Sequence, residues 1–261
     1  MNKSRQRSKP HTIFYHNEKE VSDSLETVNH FCNFFSNIGP NLAKKIRKTS
    51  VSPQSYLSGE FSDSIFIDPI SETELITITK NFQAGKSPGY DNITMSVIQS
   101  TINTIVKPLT YIVNLSFSCG IFPDHLKISR IVPLLKSGDK SIFSNYRPVS
   151  ILPAFSKIFE KAFYNRLIDY LNYHNILCKN QYGFRKGHST AFALIDLYEN
   201  ISKAIDNKEV AIGIFLYLSK AFDTVNHEIL FQKLDHYGVR GTALNWIKSY
   251  FLNRQQFVSY N

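Results

Sequence analysis

Basic side chains suited to phosphate binding cluster in one short stretch of the sequence. Lys136, Lys140 and Arg147 lie in or beside the glycine-containing turn over residues 136–140. A lysine ammonium acts as a point charge and an arginine guanidinium as a planar fork, and both neutralise phosphate oxygens. The stretch therefore indicates a polyphosphate site, although the same composition is also typical of a solvated surface loop.

Acidic and amide side chains follow an apolar run further along the chain, in the block from Phe215 to His227. Asp223 and Asn226 stand where a predicted strand passes through a turn into a helix. Side chains of these types accept hydrogen bonds from the free N–H groups at a helix N-terminus. From the residues alone, capping is therefore a better interpretation of Asp223 than catalysis.

The common motifs of other catalytic and metal sites do not occur in this sequence. It contains no P-loop, GxSxG, HExxH or GxGxxG motif. Its eight histidines have no ligand spacing, and Cys32, Cys119 and Cys178 form no CxxC pair. We therefore expect neither a disulfide framework nor a structural zinc site, and we expect three reduced, mostly buried thiols.

Apolar periodicity predicts the elements that must position these residues. Helices are expected over residues 22–48, 71–82, 92–118, 154–173, 190–206, 227–236 and 242–253. Extended segments are expected over residues 128–135, 146–152, 209–218 and from 255 onwards, and the first two should form a hairpin. The predicted fold class is mixed α/β, in an α+β arrangement.

Local signals refine these helix boundaries. Ser71 and Glu74 form a capping box at the start of the second helix. Gly120 fits the left-handed position that ends the third helix. Gly39-Pro40 is expected to break the first helix, and Pro108 to kink or split the third.

The longest apolar run, Ala211–Leu218, is far too short to cross a membrane, and we interpret it as a buried strand. The N-terminal segment is basic but has no apolar centre, so it does not match a signal peptide. An intracellular protein without membrane contact is therefore expected. Residues 49–64 are rich in serine, which indicates a linker.

The charge balance points to a polyanionic partner. The chain of 261 residues carries 30 Lys and Arg against 21 Asp and Glu, a formal net charge of +9 at pH 7. Hydrophobic residues make up 43%, enough for a packed core. Such a basic excess favours nucleic acid before a membrane surface. Residues 1–10 carry four basic side chains and no acid, typical of a solvated tail or of a nucleic-acid or nuclear-import arm.

Six sequence blocks, taken in order, resemble the reverse transcriptases of non-LTR retrotransposons, the LINE-type elements, and the Jockey-like group in particular. The blocks are Gly85–Ile93 (GKSPGYDNI), Phe122–Lys136, Asn145–Leu152 (NYRPVSIL), Lys157–Lys161 (KIFEK), Gln181–Thr190 (QYGFRKGHST) and Phe215–His227. Each block alone is a weak signal, but their order and spacing make the combination specific. The resemblance extends from about Phe66 to the end of the sequence.

The resemblance implies a partial right-hand polymerase fold, with the fingers and the start of the palm but without the thumb. It divides the sequence into a basic tail and helical linker over 1–65, a helical pre-fingers region over 66–127, and fingers with the first part of the palm over 128–261. The implied partners are an RNA or DNA template-primer and a deoxynucleoside triphosphate (dNTP), with Mg²⁺ as cofactor.

Roles for individual residues follow from the same resemblance. Lys136 would contact the terminal phosphates of the dNTP, and Arg147 would lie along its α-phosphate and base. Arg185 would shape the fingers near the template. Phe222 would screen against a ribose 2′-OH, which is compatible with a core position beside the predicted strand. Neutralising charge at a transferring phosphoryl group is the physical reason for the basic residues.

The sequence departs from the family at Tyr217, where the resemblance implies the first metal-binding aspartate. Two-metal phosphoryl transfer needs carboxylates, and an uncharged phenol is a poor ligand for Mg²⁺. Asp223 lies six positions further on and is no substitute. The family's later motifs, of Gly-Pro-Gln-Gly-Ser and Tyr-Ala-Asp-Asp type, do not occur before Asn261.

These departures lead us to expect a truncated domain without polymerase activity and without productive Mg²⁺ binding. Two alternatives remain open at this point. One is a remnant that binds nucleic acid without catalysis, and the other is a decayed reading frame with no selected function.

Overall fold

The computed structural model describes residues 13–16, 19–47, 49–59, 61–218 and 220–260. The basic segment 1–10, for which a tail or a nucleic-acid arm is predicted, lies outside the described residues. The chain divides into two compact units. The first comprises Met1–Tyr164 together with Asp223–Asn261, and the second comprises Asn165–Phe222.

Seven α-helices and five strands occur among the described residues. The helices are α1 Ser24–Ala43, α2 Glu72–Lys80, α3 Met95–Cys119, α4 Ala154–Tyr173, α5 Thr190–Asp206, α6 His227–His236 and α7 Gly241–Phe251. The strands are β1 Phe14–His16, β2 Lys19–Val21, β3 Ile128–Leu135, β4 Tyr146–Ile151 and β5 Gln255–Val258. The predicted α+β class is confirmed. In the described part of the chain, no helix is long and apolar enough to cross a membrane.

β3 is the central strand of a three-stranded sheet in the first unit. It pairs antiparallel with β4, in a register that sets Leu135 opposite Tyr146. On its other side it pairs parallel with β5, where Arg130 lies beside Phe257. The predicted hairpin is therefore confirmed. β1 and β2 form a separate two-stranded sheet, and at three residues each they are too short to show a pattern in the sequence.

An aromatic core joins this sheet to α1. The ring centroids of Phe14, Phe31 and Phe143 lie 4.7 to 5.2 Å apart. Tyr146 and Val258 extend the same cluster onto β4 and β5. Aromatic pairs at these distances gain attraction beyond the apolar area that they bury. The cluster therefore packs the hairpin, including the residues next to its turn, against α1.

A second core joins α3, α4 and α7. The Trp246 ring stacks on Phe163 with centroids 4.2 Å apart and meets Phe117 edge-on at 5.8 Å. The Trp246 indole N–H donates to the buried Ser116 hydroxyl at 2.9 Å. Because a buried donor without a partner costs about 1–3 kcal/mol, this hydrogen bond allows the indole to be buried in the core.

The helix ends predicted at Ser71 and Gly120 are confirmed. The break predicted at Pro40 is wrong, and α3 is not split at Pro108. Ser71 Oγ accepts from the Glu74 N–H at 3.1 Å, and Gly120 ends α3 with a φ of 66°. However, α1 continues through Pro40 and α3 continues through Pro108. In α3, buried side chains on both sides of the proline offset the hydrogen bond that it removes.

The predicted linker over residues 49–64 is attached to the first unit by hydrogen bonds. The Gln54 amide donates to the Gln232 side chain at 2.7 Å. The Arg240 guanidinium donates to the Phe61 carbonyl at 2.7 Å. Serine-rich composition predicts a lack of regular structure, but it carries no information about partners more than 170 residues away. The segment is therefore a structural part of the first unit.

The strand predicted over residues 209–218 is wrong. These residues form neither helix nor strand, and the apolar side chains from Val210 to Leu218 are 75–88% exposed. A strand is stabilised by hydrogen bonds to a neighbouring strand. No strand within the described ranges pairs with this segment. The apolar run indicates a tendency to form a strand but cannot by itself supply the partner.

The second unit, Asn165–Phe222, has no buried residue among those that the structure describes. α5 forms as predicted, but the apolar stripe that includes Leu194, Tyr198 and Ile205 is exposed. The periodicity therefore indicated the helix correctly without showing whether its apolar face would be covered.

The three cysteines are free, as predicted, but the expectation that they are mostly buried is wrong. Cys32 is half-buried in α1, whereas Cys119 and Cys178 are exposed. Cys119 is the last residue of α3, and Cys178 lies in the loop before α5. Helix ends and loops usually lie at the protein surface. The cysteine residue type predicts burial but does not show that the residue stands at such a position.

Candidate functional site

The turn between β3 and β4 has a defined backbone. The Lys136 N–H donates to the Asn145 carbonyl at 2.8 Å, and the Asn145 side chain donates to the Asp139 carbonyl at 2.9 Å. Asp139 Oδ1 accepts from the Ser141 N–H at 2.9 Å, and this bond holds the pKa of Asp139 below its usual value. The turn is therefore fixed by four residues that hydrogen-bond to one another.

Gly138 allows this turn to close. Its φ is 84°, a conformation that residues with a side chain rarely adopt. A Cβ atom at this position would lie 2.8 Å from the Asn145 amide nitrogen. The glycine is thus required both by the backbone angle and by the hydrogen bond that Asn145 makes.

Tyr146 connects the tip of the hairpin to the aromatic core. Its ring packs with Phe31 at 5.1 Å between centroids, and its hydroxyl donates to the Lys140 carbonyl at 2.9 Å. Burial and a hydrogen bond with Tyr260 raise the pKa of Tyr146 far above its ordinary value, so the phenol remains a neutral donor. The core therefore holds the position of the basic turn.

The basic side chains of the hairpin are available to a ligand. Lys136, Lys140 and Arg147 are all exposed. None of the three forms an ion pair with another residue in the described ranges. Arg147 is the second residue of β4 and lies opposite Leu134 of β3. The structure thus places Lys136 and Arg147, the two residues predicted to contact phosphate, on one hairpin.

The other predicted site residues belong to the second unit. Arg185 Nη1 donates to the Cys178 carbonyl at 2.9 Å, and this hydrogen bond joins two positions of the loop before α5. Phe222 meets Phe184 edge-on at 5.7 Å, but it is 79% exposed. The alternative interpretation of Phe222 as a core residue is therefore wrong, because the predicted strand beside it does not form. Tyr217 is also exposed.

Asn226, rather than Asp223, caps α6. Its side-chain oxygen accepts from the Ile229 N–H at 3.1 Å. Asp223 lies in the 3-10 turn Ala221–Thr224. The capping interpretation of this block is thus confirmed for Asn226.

The side chain at position 217 does not fit a magnesium ligand. Mg²⁺ takes carboxylate, phosphate and water oxygens in a near-octahedral arrangement, and Tyr217 offers a phenol. Across the described ranges, no group of three or more His, Cys, Asp or Glu residues is placed to hold a metal ion.

A cavity of about 400 Å³ lies between the loop after α2 and the start of α4, and we call it the α2–α4 cavity. Lys86 and Lys157 both line it. Neither lysine is among the site residues predicted from the sequence, although each belongs to a block that resembles the family. They are distant in the sequence, so only the fold shows that they line the same cavity.

Glu160 is a second charged group whose environment the sequence does not reveal. Its carboxylate accepts from Ser156 Oγ at 3.0 Å and from the Tyr250 hydroxyl at 3.1 Å. Burial raises the pKa of Glu160, although these hydrogen bonds and the charges of Arg254 and Lys157 lower it. The side chain therefore links α4 to α7 inside the protein.

Comparison with known proteins shows similarity over most of the chain. Residues 135–261 match the family model described as "Reverse transcriptase (RNA-dependent DNA polymerase)". The probable RNA-directed DNA polymerase from transposon BS of Drosophila melanogaster is 32% identical over 202 residues, which cover 75% of this chain and 22% of that relative. The RNA-directed DNA polymerase from mobile element jockey of the same species is 29% identical over 218 residues, 80% of this chain and 23% of that relative.

A third relative has similar coverage. The probable RNA-directed DNA polymerase from transposon X-element of Drosophila melanogaster is 30% identical over 162 residues, 62% of this chain and 18% of that relative. The chain thus spans less than a quarter of the length of the curated relatives that it matches.

Proposed function

The chain belongs to the reverse transcriptases of non-LTR retrotransposons, and from this membership we propose that it is a reverse transcriptase segment without polymerase activity. The observation that carries the proposed loss of activity is Tyr217. As part of the same proposal, residues 66–127 form a helical pre-fingers region and residues 128–261 form fingers and palm of a right-hand polymerase. Residues 1–65 precede this domain.

The chemistry at position 217 supports the proposed inactivity. The resemblance implies an aspartate there, as one ligand of a pair of metal ions about 3.5–4 Å apart. The ions stabilise the attacking and leaving oxygens of phosphoryl transfer, and an uncharged phenol cannot replace the carboxylate that holds them. Loss of this ligand would remove the activity whatever residues follow Asn261 in a longer protein.

The hairpin supports retention of nucleotide binding. In the proposal, Lys136 binds the terminal phosphates of a dNTP, and Arg147 binds its α-phosphate and base. Both are exposed and form no ion pair with other described residues, so binding breaks no internal contact. Arg185 and Phe222 have the proposed roles beside the template and at the sugar.

An exchange of segments tests the role of Tyr217 with the length of the polymerase held constant. Residues 135–261 replace the matching segment of the jockey polymerase, in one chimera unchanged and in another with Tyr217→Asp. We expect Mg²⁺-dependent cDNA synthesis on a primed RNA template only from the Tyr217→Asp chimera. Synthesis by the unchanged chimera would overturn the proposal.

A reciprocal change covers the case in which neither chimera folds. The parental jockey polymerase receives tyrosine in place of the aspartate that aligns with Tyr217. We expect cDNA synthesis to be lost while binding of the primed template is kept. Retained synthesis in this variant would also contradict the proposal.

A second candidate function is nucleic-acid binding without catalysis, which the net charge of +9 and the unpaired basic hairpin favour. For the purified chain, the logarithm of the association constant for a single-stranded RNA should fall linearly with the logarithm of the salt concentration, by about 0.7 per phosphate contacted. Absent or salt-independent binding would favour a decayed reading frame.

A further inference from the structure

We propose that the α2–α4 cavity is a second phosphate site, in which Lys86 and Lys157 bind the phosphate of a nucleotide. The nucleotide is either free or part of a single strand, and the phosphate chemistry is the same in both cases. The choice of a nucleotide among phosphorylated compounds rests on the proposed function. The basic cavity itself is independent of Tyr217 and of the hairpin.

The charges that line the cavity are all of one sign. Lys86 is exposed and Lys157 is half-buried, and neither forms an ion pair with any residue that the structure describes. No acidic residue is among the described residues that line the cavity, and Ser87 adds a hydroxyl donor. Glu160, on the same helix as Lys157, is already hydrogen-bonded to other side chains. An anion is therefore the ligand that fits this lining.

The N-termini of two helices reinforce this charge. Met95 and Ala154 line the cavity and are the first residues of α3 and α4, whose N-termini carry a partial positive charge. α2 directs its C-terminus to the same region, which alone would disfavour an anion. However, the Gln99 amide donates to the carbonyls of Thr79 and Phe82 at 3.0 and 2.8 Å. The negative end of α2 is thereby partly compensated.

The loop that carries Lys86 is fixed in place. A Cβ atom at Gly89 would lie 2.6 Å from the Pro153 nitrogen and 2.7 Å from its Cα, so only glycine permits this approach to the start of α4. Next to it, the Tyr90 hydroxyl donates to the His125 carbonyl at 2.9 Å. The loop is therefore held against the start of α4 at Gly89 and against the turn before β3 at Tyr90. A site preformed in this way loses little entropy on binding.

The size and apolar part of the cavity select a nucleotide over a bare phosphate ion. A volume of about 400 Å³ suits a small organic ligand, since such sites typically span about 300–1,000 Å³. Phe82, Ile93 and Met95 provide apolar and aromatic surface in the same cavity. Bases stack on aromatic rings without sequence preference, and Phe82 is the aromatic residue among the described residues that line the cavity. A base packed against these side chains would occupy the apolar part of the cavity, and a phosphate bound by the two lysines would occupy its basic part.

Two pairs of lysine substitutions in the full chain test the proposal with equal loss of charge. One variant carries Lys86→Ala with Lys157→Ala. The control carries Lys80→Ala with Lys107→Ala, two exposed lysines of α2 and α3 that do not line the cavity. Circular dichroism confirms the fold of each, and fluorescence anisotropy measures binding of a labelled ten-nucleotide RNA and, separately, of a labelled mononucleotide.

We expect the cavity pair to raise the Kd at least about tenfold and the control pair far less, because charge-assisted hydrogen bonds are lost only in the first. An effect on the RNA alone assigns the site to a strand, and an effect on the mononucleotide assigns it to a free nucleotide. Equal effects of both pairs, or none from the cavity pair, would overturn the proposal.

Footprinting of the unmodified chain keeps the proposal testable if the cavity variant does not fold. RNA or mononucleotide should protect Lys86 and Lys157, but not Lys80, from a lysine-acetylating reagent, with modification read by mass spectrometry. Unchanged modification of Lys86 and Lys157 with both ligands would overturn the proposal. Both experiments measure binding only, so their outcome is separate from the cDNA synthesis that tests Tyr217.

Discussion

Glu160 illustrates how burial determines the charge state of a single side chain. Water is largely excluded from its carboxylate, and two neutral donors, Ser156 and Tyr250, replace it. Burial raises the pKa of Tyr250 to about 12, and the nearby Glu160 charge acts in the same direction. Tyr250 therefore remains a neutral donor, while burial raises the pKa of Glu160 above its usual value of 4.5.

We predict that Glu160→Gln alters the pH dependence of stability. A raised pKa in the folded chain means that folding favours the protonated acid. The free energy of unfolding of the unmodified chain should therefore decrease as the pH rises from 4.5 through the folded-state pKa. Glutamine does not ionise, so urea unfolding should show the variant gaining stability relative to the parent over this range.

A matched control uses Glu209→Gln, because Glu209 is exposed. This control should follow the pH dependence of the unmodified chain. A difference between Glu160→Gln and the parent that stays constant with pH would contradict the prediction.

We also predict that Lys136→Ala and Arg147→Ala each weaken dNTP binding by about tenfold, the amount expected for one lost charge-assisted hydrogen bond. Lys140→Ala is the matched control. It removes the same charge as Lys136→Ala from the same turn, but the resemblance gives Lys140 no phosphate contact. Binding is measured by titration with a fluorescent dNTP. Equal losses of affinity from Lys136→Ala and Lys140→Ala would contradict the prediction, because they would show that only the net charge of the turn matters.

Among the elements, β3 and the segment 209–218 show the difference between a strand pattern and a strand. Both are rich in apolar residues. β3 pairs with a strand on each side and packs against α1. The segment 209–218 has no strand partner among the described residues. Backbone hydrogen bonds to those partners stabilise an extended chain. α3 shows the converse case, since packing carries the helix through Pro108.

A pair of alanine substitutions tests this difference between β3 and the segment. Ile131 on β3 is 3% exposed, so Ile131→Ala should lower the free energy of unfolding by about 2–5 kcal/mol. Leu216 is 86% exposed, so Leu216→Ala should change it by no more than about 0.5 kcal/mol. Urea unfolding of the two variants provides the comparison. A loss from Leu216→Ala as large as that from Ile131→Ala would show that the segment is buried.

For the whole molecule, stability is distributed unevenly between the two units. The first unit contains two cores, one around Phe14 and Phe31 and one around Trp246. The second unit, Asn165–Phe222, has no buried side chain among its described residues. Local opening costs little where few apolar contacts are lost. The second unit should therefore open more readily than the first.

Hydrogen exchange read by mass spectrometry tests this expectation. Backbone amides of α5, in the second unit, should exchange faster than those of α3, although both are long, regular helices. α3 is the matched control because, apart from Pro108, its amides share the same hydrogen-bond pattern, but one face of the helix is buried. Equal protection of α5 and α3 would contradict an uneven distribution of stability.

The sequence by itself determined the local features and the family. Helix periods, the Ser71 cap, the Gly120 end and the β3–β4 hairpin depend on residues within a few positions of one another, so the amino-acid order is sufficient. The six blocks led to the family through their order. Tyr217 lies inside one of these blocks, so its departure from the family can also be read from the sequence.

Only the tertiary structure decided which patterned surfaces are covered and which distant residues meet. The apolar stripe of α5 and the run 209–218 have the same character as buried segments, yet no partner covers them. Lys86 and Lys157 line one cavity, and Tyr250 donates a hydrogen bond to Glu160, although each pair is far apart in the chain. Burial and long-range contact depend on the partner as well as on the segment, and no local pattern contains the partner.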